Sequence, residues 1–316
     1  MLAAARAGDG EAFRALVAPH LRALHVHCYR MLGSYTDAEE AVQEAILRAW
    51  RGLGGYQGTG PLRHWLYRIT TTTCLKMINR RGRDPLAFAA EVAWLQPYPD
   101  ALLDEIPADD ADPATIAERR ESVALAFIAA LQLLPATQRA VLILREVLGW
   151  PARDVAGLLD TTVAGVNSAL QRARATLTDA PVTNTARWHL NAHEQQVLDG
   201  FLRAWHACDT PALAALLRDD VTLTMPPQAI RIIGREQVAG FFASVPADGR
   251  LDLIDLVVTR ANGHPTLAAY LPDEHSGDCR GYGIMVLTIT DGQIATITGF
   301  PDPHLFPIFD LPTTAT

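Results

Sequence analysis

The stretch from Asp37 to Arg83, DAEEAVQEAILRAWRGLGGYQGTGPLRHWLYRITTTTCLKMINRRGR, constrains this chain more than any other. Its first half places Ala38, Ala41, Val42, Ala45, Ile46 and Ala49 on one helical stripe, which must face a core. Glu39, Glu40, Gln43, Glu44 and Leu47 fall on the other faces, with Trp50 near the end. A turn rich in glycine, Gly52 to Pro61, leads to a second helical segment of unusual content. There Trp65, Tyr67 and Arg68 precede Thr70, Thr71, Thr72 and Thr73, then Lys76, Asn79, Arg80, Arg81 and Arg83. Rings stack on bases, hydroxyls bond base edges and cations meet phosphates, so this set suits single-stranded nucleic acid. Four consecutive threonines are weak helix formers, which argues that the hydroxyls have a use.

Charge supports that reading by its distribution. The net charge is −8, yet residues 1–83 carry 12 Lys/Arg against 6 Asp/Glu, while residues 84–120 carry 2 against 9. Residues 121–180 balance at 5 against 5, and residues 181–316 carry 8 against 15. A nucleic-acid binder can be acidic overall when its cations share the contact face. With 316 residues the chain suits two or three domains, and 49% hydrophobic residues suffice for their cores. No apolar run approaches the roughly 18–20 residues of a membrane span. The start, MLAAARAGDGEAF, lacks a signal layout. Cys28, Cys74, Cys208 and Cys279 are scattered, which reads as reduced thiols in a cytoplasmic protein.

Residues 1–34 read as one or two helices broken near Pro19; Gly33 and Ser34 stop the run, and Thr36 or Asp37 caps the next helix. His25, His27 and Cys28 sit at offsets that do not converge on one ion, so no metal is expected. Residues 84–113 form an acidic, proline-rich linker, in which Trp94, Leu95, Tyr98 and Leu102 suggest docking on something. A second helical domain spans 114–180. Within it Pro151–Leu159 and Val163–Leu177 are two helices joined by Asp160, Thr161 and Thr162, the pattern of a helix-turn-helix. Val155, Leu158, Leu159, Val166 and Leu170 pack the pair. Thr162, Ala164, Asn167, Ser168, Gln171, Arg172 and Arg174 are left to face a groove.

The run D-A-E-E-x-V-Q-E-x-x-L-R-A-W followed by W-L-Y-R-I resembles region 2 of bacterial sigma factors of the extracytoplasmic-function group. The helix-turn-helix, with L-P-x-x-x-R-x-V at Leu134–Val141 and S-x-L-x-R-A-R at Ser168–Arg174, resembles region 4 of the same factors. The resemblance implies region 2 over 1–83 and region 4 over 114–180. It implies that Asp37, Glu39, Glu40, Gln43, Glu44, Leu47 and Trp50 dock on the beta and beta-prime subunits of core RNA polymerase. It further implies that Trp65, Arg68, Thr72, Thr73, Lys76 and Arg80 engage the minus 10 element of promoter DNA, while the groove-facing residues of the second helix read the minus 35 element. The linker would thread polymerase channels. The chain departs from the family at Thr72, where Asn is frequent, and at Asn167 and Ala169, where Lys and Arg are frequent. Those departures change which base edges are read.

Residues 181–316 exceed a minimal factor of this kind. Helices over Ala192–Ala207, Pro211–Leu217 and Glu236–Ala243 precede strands over Leu251–Arg260, Thr266–Leu271, Gly281–Thr290 and Gln293–Phe300, with an earlier strand at Val221–Met225. Asn262-Gly263 and Asp291-Gly292 are hairpin turns. An α+β cone follows, which resembles SnoaL-like members of the nuclear-transport-factor-2 superfamily. The fold class is therefore multidomain, two all-α domains followed by that cone. In such enzymes an Asp or His moves protons, and His206, Asp209, Asp302 and His304 are the candidates here. An alternative is a small-molecule pocket lined by Trp205, His206, Asp209, Met225, Phe241, Tyr282 and Met285; another is a regulatory contact that modulates the sigma domains in cis. No catalytic group is assigned, and no cofactor or metal is expected; His189 and His193 share a helix face without a third ligand.

Overall fold

Pro19 divides the first helical run because it lacks an N–H and clashes with the preceding turn. In the computed structural model α1 (Leu2–Arg6) and α2 (Gly10–Val17) precede a 3-10 turn at Ala18–His20, and α3 (Leu21–Leu32) follows. Residues 1–56, 58, 60–81, 95–104, 122–178, 191–273 and 278–315 are described. Arg83, Trp94, Pro181–Asn184 and His189 lie outside them. Gly33 closes α3 in the left-handed region, φ 75°. Ser34, rather than Thr36 or Asp37, caps α4 (Tyr35–Gly52), because its hydroxyl accepts the Asp37 N–H at 3.2 Å. Such a cap contributes about 1 kcal/mol. Ala38, Ala41, Ala45 and Ala49 form the buried face of α4, and their small side chains let α3 and α5 (Leu62–Arg81) pack closely.

A short helix, α6 (Asp100–Asp104), follows in the linker. Then α7 (Leu125–Gln132) and α8 (Ala136–Leu142) lead into a π-wound turn at Ile143–Val147. Gly149, φ 68°, redirects the chain. Next come α9 (Ala152–Leu159) and α10 (Val163–Thr178), joined through Asp160 in the left-handed conformation. Val155, Leu158, Val166, Leu170 and Ala173 are buried between them and α8. These helices and those of the first ninety-five residues make one unit, Met1–Leu95 with Leu102–Thr183.

The other unit joins Gln96–Ala101 to Asn184–Thr316. A capping box between Asn191 and Glu194 starts α11 (Ala192–His206), and Asp209 caps α12 (Thr210–Leu216). The sheet runs β2 (Arg231–Ile233), β1 (Leu217–Thr224), β6 (Gln293–Phe300), β5 (Cys279–Thr290), β4 (His264–Pro272), β3 (Asp255–Ala261), with β7 (Thr314–Ala315) beside β5. β1 and β6 pair in parallel and the rest antiparallel. Register shifts at Ala269/Tyr270 and Thr288/Ile289 bend it, as bulges do. Its concave face closes over α11, α12 and α13 (Arg235–Phe242) around Phe201, Trp205, Phe242, Leu267, Leu287 and Ile297. The expected strand at Leu251 begins only at Asp255, since Leu251–Leu253 is a 3-10 turn.

Candidate nucleic-acid interface

On α4 the alanine face dictates what points outward. Glu39, Glu40, Gln43 and Leu47 are exposed, Leu47 by 51%, and Glu44 and Trp50 are half-buried. Glu44 holds Arg48 at 2.7 Å, and Trp50 packs on Phe13 with ring centroids 4.9 Å apart. Asp37 corrects the sequence expectation: it is buried in the first turn of the helix, where a carboxylate suits the positive dipole end. An acidic surface around one exposed leucine remains.

The stripe on α5 is sharper. Arg68, Lys76, Asn79 and Arg80 are exposed, and Trp65 and Thr72 are half-buried, at the three- and four-residue steps of one helix face. Trp65 stacks on Tyr56, centroids 5.0 Å apart. Thr73 does not join them. It is buried, donates to the Ile69 carbonyl at 2.9 Å and accepts from Arg48 at 3.1 Å. Thr70 and Thr72 likewise donate to carbonyls four residues back, at 2.8 Å each. Thr71 is hydrogen-bonded at 2.9 Å to Nε2 of His27, a ring that burial and the charge of Arg30 hold neutral, its pKa lowered to about 3. Three of the four threonines therefore serve the helix and its core, since back-bonding satisfies a buried hydroxyl. Only Thr72 adds to the outward stripe.

In the helix-turn-helix, Thr162, Ala164, Asn167, Ser168, Gln171, Arg172 and Arg174 are all exposed, and Val166, Ala169, Leu170 and Ala173 are buried. Thr162 accepts the Gly165 N–H at 3.0 Å, so the start of α10 is capped by a residue expected to read DNA. Arg172 donates to the Ser168 hydroxyl at 2.6 Å. Arg174 donates from Nε to Glu146 at 2.6 Å, a pairing that spacing along one helix cannot reveal.

The C-terminal candidates do not gather as a polar pocket. Trp205 is 3% exposed and donates its indole N–H to the Ile254 carbonyl at 3.2 Å; Tyr282 is 50% exposed. His206 is exposed, its Nδ1 bonded to the Leu202 carbonyl at 2.8 Å, and Asp209 accepts the Ala212 N–H at 2.9 Å. Met225, Phe241 and Met285 are half-buried against the apolar core. Sequence reasoning placed the β3–β4 turn at Asn262-Gly263 but not what it holds. Asn262, at φ 55° and fully buried, accepts the Tyr98 N–H through Oδ1 at 2.8 Å and donates its own N–H to the Tyr98 carbonyl at 3.0 Å. Gly263 donates its N–H to Asp100 at 2.9 Å, and Arg260 pairs with the other Asp100 oxygen at 3.2 Å. Pro99 forms an antiparallel bridge with Ala261. Tyr98, fully buried, and Asp100, 5% exposed, are thus held on the sheet edge. The signal for this was an aromatic residue in an acidic, proline-rich stretch.

Residues 16–84 match the family model for sigma-70 region 2, residues 124–177 that for sigma-70 region 4, and residues 198–297 that for the SnoaL-like domain. SigG of Mycobacterium tuberculosis, an ECF RNA polymerase sigma factor, is 38% identical over 97% of this chain and 85% of its own length. SigM of the same species is 31% identical over 56% of this chain and 81% of its own length. The crystal structure of M. tuberculosis SigJ, an extracytoplasmic-function sigma factor, shares the fold with a TM-score of 0.63 at 23% identity, covering 95% of this chain and 99% of that one. No helix among the described residues is long and apolar enough to cross a membrane. The chain belongs to the extracytoplasmic-function sigma factors of RNA polymerase, with a SnoaL-like domain fused behind region 4.

Proposed function

We propose that this sigma factor binds core RNA polymerase through the outward face of α4, engages the opened minus 10 strand through Trp65, Arg68, Thr72, Lys76 and Arg80, and reads the minus 35 duplex through α10. It acts in the cytoplasm, and its C-terminal domain modulates initiation in cis without chemistry of its own. The observation that carries the cis reading is the grip of the Asn262 hairpin on Tyr98 and Asp100. The held segment belongs to the linker between regions 2 and 4, so the domain acts on the chain that must extend when both promoter elements are bound. That the candidate acids serve as caps supports a regulatory rather than catalytic domain: Asp209 accepts from Ala212 and Asp302 from His304.

The test is initiation by core polymerase with Asp100→Ala and Asn262→Ala. A buried bond to a charged group contributes about 1.5–3 kcal/mol and a neutral one about 1 kcal/mol, so Asp100→Ala loosens the grip about tenfold or more and Asn262→Ala severalfold. Initiation that differs from the parent by severalfold in the same direction for both variants supports the reading. Unchanged initiation with a demonstrably released linker removes it.

A further inference from the structure

The loop between α4 and α5 is short of side chains: Gly52, Gly54, Gly55, Gly58 and Gly60 stand among nine residues. Glycine loses more conformational freedom on folding than any other residue, so such a loop must be held to keep one shape. Tyr56 is a point at which it is held. Its N–H donates to the Leu53 carbonyl at 3.2 Å, and its hydroxyl donates to the Gly60 carbonyl at 2.6 Å. Its ring lies against the Trp65 indole, centroids 5.0 Å apart and planes inclined by 31°. The guanidinium of Arg6 sits 6.0 Å from the centre of the Tyr56 ring, and its Nη2 donates to the Tyr56 carbonyl. One arginine of α1 thus grips both the ring and the backbone of the residue on which Trp65 packs. The two partners are fifty positions apart in sequence.

Arg6 is exposed, but the helix that carries it is anchored. Ala5 beside it is buried, Asp9 caps α2 by accepting the Glu11 N–H at 2.9 Å, and Phe13 of α2 packs on Trp50 of α4. Arginine suits the task, because its planar fork can lie over a ring and donate to a carbonyl at once. Trp65 has use for the support. It is half-buried, and an indole free to change rotamer must be ordered each time it meets a base. A ring stacked in place beforehand avoids that cost.

We propose that Arg6 is a positioning residue for promoter opening: it clamps Tyr56, and Tyr56 holds the Trp65 indole ready to stack on an opened base. The proposal rests on the assignment of Trp65 to the minus 10 strand. It adds α1, which lies before the residues 16–84 that match region 2, to the parts of the chain that open DNA.

The test is strand opening by the full chain with core polymerase, read from a fluorescent adenine analogue in the minus 10 element of a promoter selected from a library. Arg6→Ala puts a strong helix former at an exposed site, and circular dichroism checks that the fold is kept. It is expected to slow opening about fivefold while core binding matches the parent's. Tyr56→Ala is expected to slow opening at least as much. Adding Arg6→Ala to Tyr56→Ala should then change the rate by less than about twofold, because the ring through which Arg6 acts is gone. Opening by Arg6→Ala at the parent rate would overturn the proposal. So would an equal loss in both backgrounds, and a reduced salt slope would then mark Arg6 as a phosphate contact. Trp65→Ala separates the clamp from the assignment beneath it. Opening by Trp65→Ala at the parent rate removes both, whereas slowed opening by Trp65→Ala with Arg6→Ala unaffected removes the clamp alone.

Discussion

Neighbouring residues on α5 face opposite ways within one turn of helix. Thr72 faces outward and Thr73 inward, so Thr72→Ala is expected to weaken promoter opening severalfold with stability unchanged. Thr73→Ala should instead lower the unfolding free energy by about 1 kcal/mol, the usual worth of a buried hydrogen bond. Denaturant unfolding and strand-opening assays on both variants separate the two roles. Buried histidines add a pH signature. His25 and His27 are held neutral by burial, reinforced by Arg22 and Arg30, with pKa lowered to about 4 and about 3. Above pH 6.5 neither state takes up protons at these sites. As pH falls below that, the unfolded chain binds protons that the folded one refuses, and each ring costs about 2 kcal/mol of stability by pH 5. His27→Gln should flatten the loss between pH 7 and pH 5, checked by denaturant midpoints; an unchanged slope would contradict the assignment. Sequence alone shows a threonine run but not its burial, because the same hydroxyl serves a base edge or an i−4 carbonyl.

At the scale of elements, the helices were readable because their punctuation is local. Pro19, Gly33 and Pro135 mark breaks in the chain, and Asn262-Gly263 and Asp291-Gly292 adopt the positive φ that tight hairpins require. Burial of the α4 alanines and of Val166 and Leu170 followed from helical periodicity. Non-local pairings were not readable. Arg174 reads from sequence as groove-facing, yet its partner Glu146 is twenty-eight residues away. Asp37 reads as surface until the caps and packing around Ser34 bury it. The recognition helix gives a third prediction: Asn167→Ala or Gln171→Ala should relax base preference at one promoter position by about 1–3 kcal/mol. Arg172→Ala should weaken binding at all sequences and reduce the salt slope by about one. Competition binding with the polymerase complex at two salt concentrations distinguishes these outcomes. A uniform loss for Asn167→Ala would make it a backbone contact instead.

The whole molecule is a sigma factor in which the segment between regions 2 and 4 is held by a SnoaL-like domain. The cone interior is filled by Phe201, Trp205, Phe242 and aliphatic side chains, and its hairpin is occupied by the chain's own Tyr98 and Asp100. The order of helices and strands made the cone legible. The hairpin's role was not, because it depends on contacts spanning about 160 residues of sequence. The most direct measurement is transcription by core polymerase on a promoter library with the full chain and with Trp65→Ala. The account predicts initiation by the full chain, and for Trp65→Ala at least tenfold less promoter opening with core binding intact. Equal loss of core binding and opening, or no initiation by the full chain, would contradict it.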